Sequence, residues 1–316
     1  MHAVTIVDGA LEWRAHRDPV PGLGEALIAV RAAGLNGADR LQVAGHYPPP
    51  AGTPADIPGL ELAGEVVAVG PGVQRFSPGD RVMAVVAGAG QAELATVHER
   101  LLLPVPDSLS WQDAGGLPEA FTTAHDALFT QCRLQLGERV CIHGAAGGVG
   151  IAAVQLAATA GARVTATVRS DALRAHVGAL GADDVVAPDA FADRGPFDVI
   201  LELVGGPNLA ADLRSLAPLG RISVIGVGAG AKSELNLLEL MGKRGHIFGS
   251  TLRARSLEDK ADAARRVERH VLPLFEAGAI RVPVHATYPM AEAAAGYDAF
   301  AAGGKLGKIV LTSQSR

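Results

Sequence analysis

The residues in this chain that could do chemistry begin with a cluster of glycines. An apolar, β-branched run, Val140-Cys141-Ile142-His143, feeds Gly144-Ala145-Ala146-Gly147-Gly148-Val149-Gly150. The cluster opens directly into Ile151-Ala152-Ala153-Val154-Gln155-Leu156-Ala157, a helical pattern. A strand, a tight turn and a helix are expected in that order. Within the turn, Ala145-x-Gly147-x-x-Gly150 has the dinucleotide spacing with its first glycine replaced by alanine. Glycine lets a backbone approach a pyrophosphate closely, and a helix N-terminus adds free N–H groups and a positive dipole end. Phosphate binding is therefore expected, with Ala146, Gly147, Gly148, Val149 and Gly150 as the cradle.

The end of the next strand, Ala162-Arg163-Val164-Thr165-Ala166-Thr167-Val168, bears on which dinucleotide binds. An acidic residue about twenty positions beyond the loop would hold the ribose hydroxyls of NAD. Arg169 and Ser170 stand there instead. A guanidinium can meet a 2′-phosphate through charge-assisted hydrogen bonds, and a hydroxyl can add one more. NADP, as NADPH, is the expected cofactor. Two other readings stay open: Arg169 as a solvated residue with Ser170 as a helix cap, and Asp171 as an NAD carboxylate.

Around this unit the chain reads as two domains. Its 316 residues exceed the usual single-domain size, and 48% hydrophobic with 19% charged residues suits a well-cored globular protein. A net charge of −5 without a basic block argues against nucleic acid or anionic membrane as partners. Two cysteines, Cys132 and Cys141, are too few for a disulfide framework or a four-cysteine zinc site, and both read as small apolar fillers. The first residues lack a leader pattern, and glycines interrupt the most apolar stretch. A cytoplasmic protein is expected.

Short alternating runs at 26–31, 64–69 and 81–86 predict a small, mostly β domain. From the glycine loop onward, strands at 162–168, 197–202 and 221–226 alternate with helical segments, which predicts a doubly wound parallel sheet. A helical stretch over 257–277 follows, and strand character returns at 282–284 and 308–311. The expected domains are 1–117 with 255–316, and 118–254 as a central insertion.

Several motifs resemble one family: Ala33-Gly34-Leu35-Asn36-Gly37-Ala38-Asp39, Pro58-Gly59-Leu60-Glu61-Leu62-Ala63-Gly64, Phe76-Ser77-Pro78-Gly79-Asp80-Arg81-Val82, the glycine loop, Leu203-Val204-Gly205-Gly206 and Gly307-Lys308-Ile309-Val310-Leu311. The chain resembles the zinc-independent quinone oxidoreductases, the zeta-crystallin-type branch of the medium-chain dehydrogenase/reductase superfamily. His46-Tyr47-Pro48-Pro49-Pro50-Ala51-Gly52, Gly90-Gln91-Ala92 and Leu117-Pro118-Glu119-Ala120 are similar to the subgroup containing the tumour-suppressor-inducible quinone oxidoreductase of animals.

The resemblance implies a Rossmann domain inserted in a GroES-like, mostly β barrel domain, a ligand cleft between the two, and a homodimer. Where zinc relatives carry a cysteine and a histidine ligand, this chain has Asn36 and Leu60, so no catalytic metal is expected. The implied activity is NADPH-dependent hydride transfer to a quinone. A reductase of α,β-unsaturated ketones or aldehydes is one alternative, and a non-catalytic NADPH-binding protein is another. Asn36 is expected to donate a hydrogen bond to an acceptor oxygen or the nicotinamide ribose, or else simply to occupy a turn. Tyr47, in a proline-stiffened loop, either stacks on the quinone and hands over a proton or is a half-buried loop aromatic. Asp39 is expected to fix the local turn, and His143 to be a core or strand-end residue. Thr123, Val204, Gly226, Ser250 and Lys308 are implied cofactor contacts, with a solvated strand lysine as the other reading of Lys308. Pro188 replaces a tyrosine frequent near the adenosine phosphate, which leaves the NADP preference resting on Arg169.

Overall fold

The computed structural model describes residues 1–313. The chain divides into two compact units, one of residues 1–122 with 252 onward, the other Thr123–Thr251. The first division falls inside the helix Pro118–His125, a few residues beyond 117.

The first unit is built on a seven-stranded sheet. Its main path runs Val284–Pro289, Lys308–Thr312, Glu25–Gly34, Glu61–Val69, Arg81–Val85 and Leu103–Pro104, and Leu94–His98 pairs with Glu25–Gly34. The strand Glu25–Gly34 alternates half-buried and buried residues over most of its length, so Ala26, Ile28 and Val30 share one inward face. They pack with Leu62, Val66, Val82, Ala84, Val97, Ile309 and Leu311 into one core. The final strand returns to this unit: Val310 sits opposite Gly34 in an antiparallel pairing.

One helix and one strand depart from expectation. The stretch 257–277 forms two helices, Leu257–His270 and Leu272–Glu276. Pro273 has no N–H to continue the first helix's ladder. Ser256 starts it, its Oγ accepting from the Asp259 N–H at 3.1 Å. The strand expected at 282–284 begins only at Val284.

The second unit is one parallel sheet of six strands in the order Asp184–Val186, Arg163–Thr167, Arg139–Ile142, Phe197–Glu202, Leu216–Val224 and His246–Gly249. In chain order this is 3-2-1-4-5-6, a doubly wound sheet whose winding reverses between Arg139–Ile142 and Phe197–Glu202. The helix Gly148–Thr159 is buried from Gly150 to Ala157, which explains why it is apolar all round. Among the described residues no helix is long and apolar enough to cross a membrane.

Candidate active site

Three neighbouring strands of the first unit bring together Lys308, Asn36 and Glu61. Lys308 opens its strand, Asn36 lies two residues past Gly34, and Glu61 opens the strand on the other side. The Lys308 ammonium is 2.7 Å from Glu61 Oε1, and both side chains are essentially unexposed. It also donates to Asn36 Oδ1 at 2.6 Å and to the Leu35 carbonyl at 2.9 Å. The remaining Glu61 oxygen accepts from the Glu119 N–H at 2.8 Å. A buried ion pair is tolerable only when its remaining donors and acceptors are filled, and here they are.

This arrangement changes two expected roles. Lys308 gives all three of its N–H bonds to the cluster, so it has none left to reach a cofactor. The Asn36 amide donates to Glu61 Oε1 at 2.9 Å and to the Gly34 carbonyl at 3.3 Å, so it presents no free donor to an acceptor oxygen. Asn36 instead locks the ion pair in place. Asp39 fixes the turn, as expected: its carboxylate accepts from the Asn36 N–H at 2.8 Å and the Gly59 N–H at 3.2 Å. Burial pushes its pKa up to about 7, against the lowering effects of the Asn36 N–H and Lys308.

Tyr47 is half-buried, with the Arg253 guanidinium 4.9 Å from its ring centroid. Arg253 donates to the carbonyls of Tyr47 and Ala87 at 2.7 Å each and to Gln42 Oε1 at 2.5 Å, pinning the proline-rich loop. Burial and then Glu119 raise the phenol's pKa while Arg253 opposes them, so Tyr47 keeps its proton at neutral pH. Glu61, Arg253 and Gln42 carry this site yet were not assigned to it from sequence. Glu61 lies inside the Pro58-Gly59-Leu60-Glu61-Leu62-Ala63-Gly64 motif; the other two have no local signal.

In the second unit the glycine loop has the features a phosphate requires. Gly147 is the N-cap of the helix and, lacking a side chain, leaves the first N–H groups uncapped. A methyl group at Gly150 would lie 2.6 Å from both Gly144 O and Ala145 Cα, so only glycine permits this packing. At Gly147 it would meet only Gly144 O, at 3.4 Å, leaving the approach open. Ala146, Gly148 and Val149 are partly exposed along the same loop.

Arg169 is exposed at the end of its strand. Ser170 occupies the N-cap of Asp171–Gly178, but its hydroxyl caps no helix N–H, contrary to that reading. Asp171 is 2.7 Å from Arg174, a second arginine that sequence reasoning passed over. Val204 and Gly226 stand past the ends of their strands; a side chain at Gly226 would strike the Leu203 carbonyl at 2.3 Å. Ser250 Oγ donates to Asp126 Oδ2 at 3.3 Å, and Thr123 is buried in the helix Pro118–His125.

The donor set around Asn36 does not fit a zinc ion. Leu60 is apolar and buried, and the carboxylate beside it, Glu61, is held by Lys308. Burial pushes the Cys132 thiol up to about 12 and raises that of Cys141.

Comparison with known proteins agrees with this architecture. Residues 22–129 match the alcohol dehydrogenase GroES-like domain, and residues 148–269 match the zinc-binding dehydrogenase family. The rat (Rattus norvegicus) quinone oxidoreductase is 32% identical over 93% of this chain and 90% of its own length. The spectinabilin polyketide synthase system protein NorB of Streptomyces orinoci is 38% identical over 92% of this chain, which spans only 13% of that protein. Among solved structures, mycobacterial Rv1454c complexed with NADPH superposes with a TM-score of 0.89 at 28% identity, covering 99% of this chain and all of the other. The CurK enoyl reductase gives 0.86 at 26%, covering 99% of each. With its parallel nucleotide-type sheet, its GroES-like unit and a full-length relative at this identity, the chain belongs to the medium-chain dehydrogenase/reductase superfamily of oxidoreductases.

Proposed function

We propose that the protein is an NADPH-dependent reductase that delivers hydride to a conjugated carbonyl acceptor, a quinone in the leading case, without a metal. The observation carrying this reading is the Lys308–Glu61–Asn36 cluster, a closed and charge-balanced set where a metal enzyme would need open ligands. An acceptor that needs no Lewis acid suits such a site, because conjugation spreads the incoming charge over its own carbonyls.

When bound, the reduced nicotinamide supplies the hydride. The chain's own residues bind, orient and protonate. The uncapped N–H groups after Gly147 would hold the pyrophosphate. Arg169 and the Ser170 hydroxyl, which caps no helix N–H, would meet the 2′-phosphate, and Arg174 pairs with Asp171, a neighbouring carboxylate that would repel it. The buried cluster keeps the Asn36 turn rigid. Tyr47, protonated at neutral pH, is the proton donor offered to the reduced acceptor and is replenished from solvent.

A second reading, reduction of an open-chain enone, enal or enoyl thioester, is supported by the similarity to a polyketide synthase and to the CurK enoyl reductase. Following NADPH absorbance with para-quinones, ortho-quinones, enones and a small enoyl thioester tests both. Preferential turnover of quinones supports the leading reading and preferential turnover of open-chain acceptors the second; no turnover of any acceptor overturns both. We also propose a homodimer, with the edge strand His246–Gly249 and the adjacent exposed Leu237, Leu238 and Met241 as its interface.

A further inference from the structure

The most heavily buried polar cluster of the nucleotide unit lies directly beneath the glycine loop. The sheet's winding reverses between the strands Arg139–Ile142 and Phe197–Glu202, the place where such sheets bind ligands. His143 immediately follows the first strand, Glu202 ends the second, and Asp212 reaches in from the helix Leu209–Ser215. Their exposures are 0%, 1% and 0%.

Most of the cluster's bonds are accounted for. His143 Nε2 is 2.9 Å from Asp212 Oδ1, and Nδ1 is 3.1 Å from Thr167 Oγ1. Thr167 Oγ1 also accepts from the Gly144 N–H at 3.3 Å, which ties the loop to the cluster. Glu202 Oε1 accepts from the N–H groups of Val204 and Gly205. Two oxygens remain: Glu202 Oε2 and Asp212 Oδ2 are both buried and have no partner among the described residues. One ring nitrogen or carboxylate oxygen from each of the three residues lies within 4.8 Å of the other two.

We propose that Glu202 is a protonated carboxylic acid in the folded protein and donates to Asp212, closing a neutral imidazolium–carboxylate–carboxylic acid lock that positions the two nucleotide-binding loops. Two ionised carboxylates are acceptors only and cannot satisfy each other; one added proton gives the pair the donor that both buried oxygens lack. Charge balance points the same way. An imidazolium, one carboxylate and one neutral acid sum to zero, whereas ionised Glu202 would leave a net negative charge in an apolar core.

The titratable groups facing Glu202 are His143 and Cys141 from the first strand's side and Asp212 from the helix, and the Phe191 ring covers His143 edge-on at 4.6 Å. Burial raises the Glu202 pKa, Asp212 raises it further, and His143 with the two backbone N–H groups opposes them. For His143, burial favours the neutral ring, while Cys141 and Asp212 oppose it and raise the pKa to about 11; with burial keeping the Cys141 thiol protonated, Asp212 is the charged partner. A carboxyl whose pKa is raised by folding contributes fully at low pH. That contribution is lost as pH rises from the ordinary carboxylate range through the raised value. Deprotonation sets a second charge against Asp212, and through His143 and Thr167 the disturbance reaches the Gly144 N–H.

The consequence for NADPH rests on the proposed role of the glycine loop. Glu202→Gln is the test, because its amide imitates the protonated acid: Oε1 accepts from Val204 and Gly205 while Nε2 donates to Asp212. The lock predicts a thermal midpoint at or above wild type and NADPH affinity within about twofold. It also predicts no alkaline weakening of binding, and loss of one protonated-carboxyl infrared band in the wild-type-minus-variant difference spectrum. Glu202→Ala, which strands two N–H groups, should weaken NADPH about tenfold. A Glu202→Gln variant as unstable as Glu202→Ala, or no lost band, overturns the lock. So does a stoichiometric divalent metal in purified wild type that Glu202→Gln abolishes, since a cation would then hold the two oxygens. A wild type that shows the band but does not bind NADPH leaves the lock standing and removes the loop's assignment.

Discussion

Lys308 and Glu61 form a pair whose value depends on both members being present. Lys308→Met leaves a buried carboxylate without its cation, and removing one partner of such a pair costs about 3–5 kcal/mol. Glu61→Gln keeps the shape while removing the charge, which matters because Gly34 lies against Glu61 Oε1 with no room for a larger group. The double variant Lys308→Met/Glu61→Gln is therefore expected to recover a large part of the stability lost in Lys308→Met alone. Denaturant midpoints of the four proteins in the cycle measure it; purely additive losses would contradict the pairing. Asp39, beside them, has its pKa raised to about 7 by burial. Its contribution to stability is thus full below about pH 4 and declines as pH rises through about 7. The thermal midpoint of Asp39→Asn should fall less than that of wild type between those limits.

At the level of elements, the strand, loop and helix around residues 139–159 depend on close backbone approach. The helix Gly148–Thr159 can sit against Gly144 and Ala145 only because residue 150 has no side chain. Gly150→Ala must displace the helix N-terminus or the loop, and the N–H groups offered to phosphate move with it. We expect at least about tenfold weaker NADPH binding, about 1.4 kcal/mol, with the first unit's fold retained. Calorimetric titration gives the affinity, and limited proteolysis reports on the first unit. Unchanged affinity would mean that the loop is not the phosphate cradle.

For the whole molecule, the sheet of the second unit ends in the strand His246–Gly249, whose outer edge has no partner strand among the described residues. Beside it, Leu237, Leu238 and Met241 are 64%, 79% and 69% exposed, a concentration of apolar surface that water disfavours. Pairing of two such edges would cover both. Light scattering should give twice the chain mass for wild type and the single mass for Leu238→Glu/Met241→Glu. A monomeric wild type would contradict the dimer.

Many local features of the chain are legible in its sequence, although the Ser170 hydroxyl caps no helix N–H. The glycine loop, the alternation of the strands and the role of Asp39 each depend on residues a few positions apart, so periodicity and spacing report them. The superfamily was legible for the same reason, since its motifs are short and contiguous. Arg174 escaped notice although it is local, because its importance lies in the charge it cancels at Asp171. What only the tertiary structure decided is which side chains meet. Asn36 and Lys308 are 272 positions apart, and His143 and Asp212 are 69 apart. Sheet order and register bring these pairs together, and burial then makes each unpaired polar atom costly enough to require a partner. That requirement gathers Lys308, Asn36 and Glu61 into one closed cluster. It also made His143, which reads in sequence as a plain strand-end residue, the centre of a charged network.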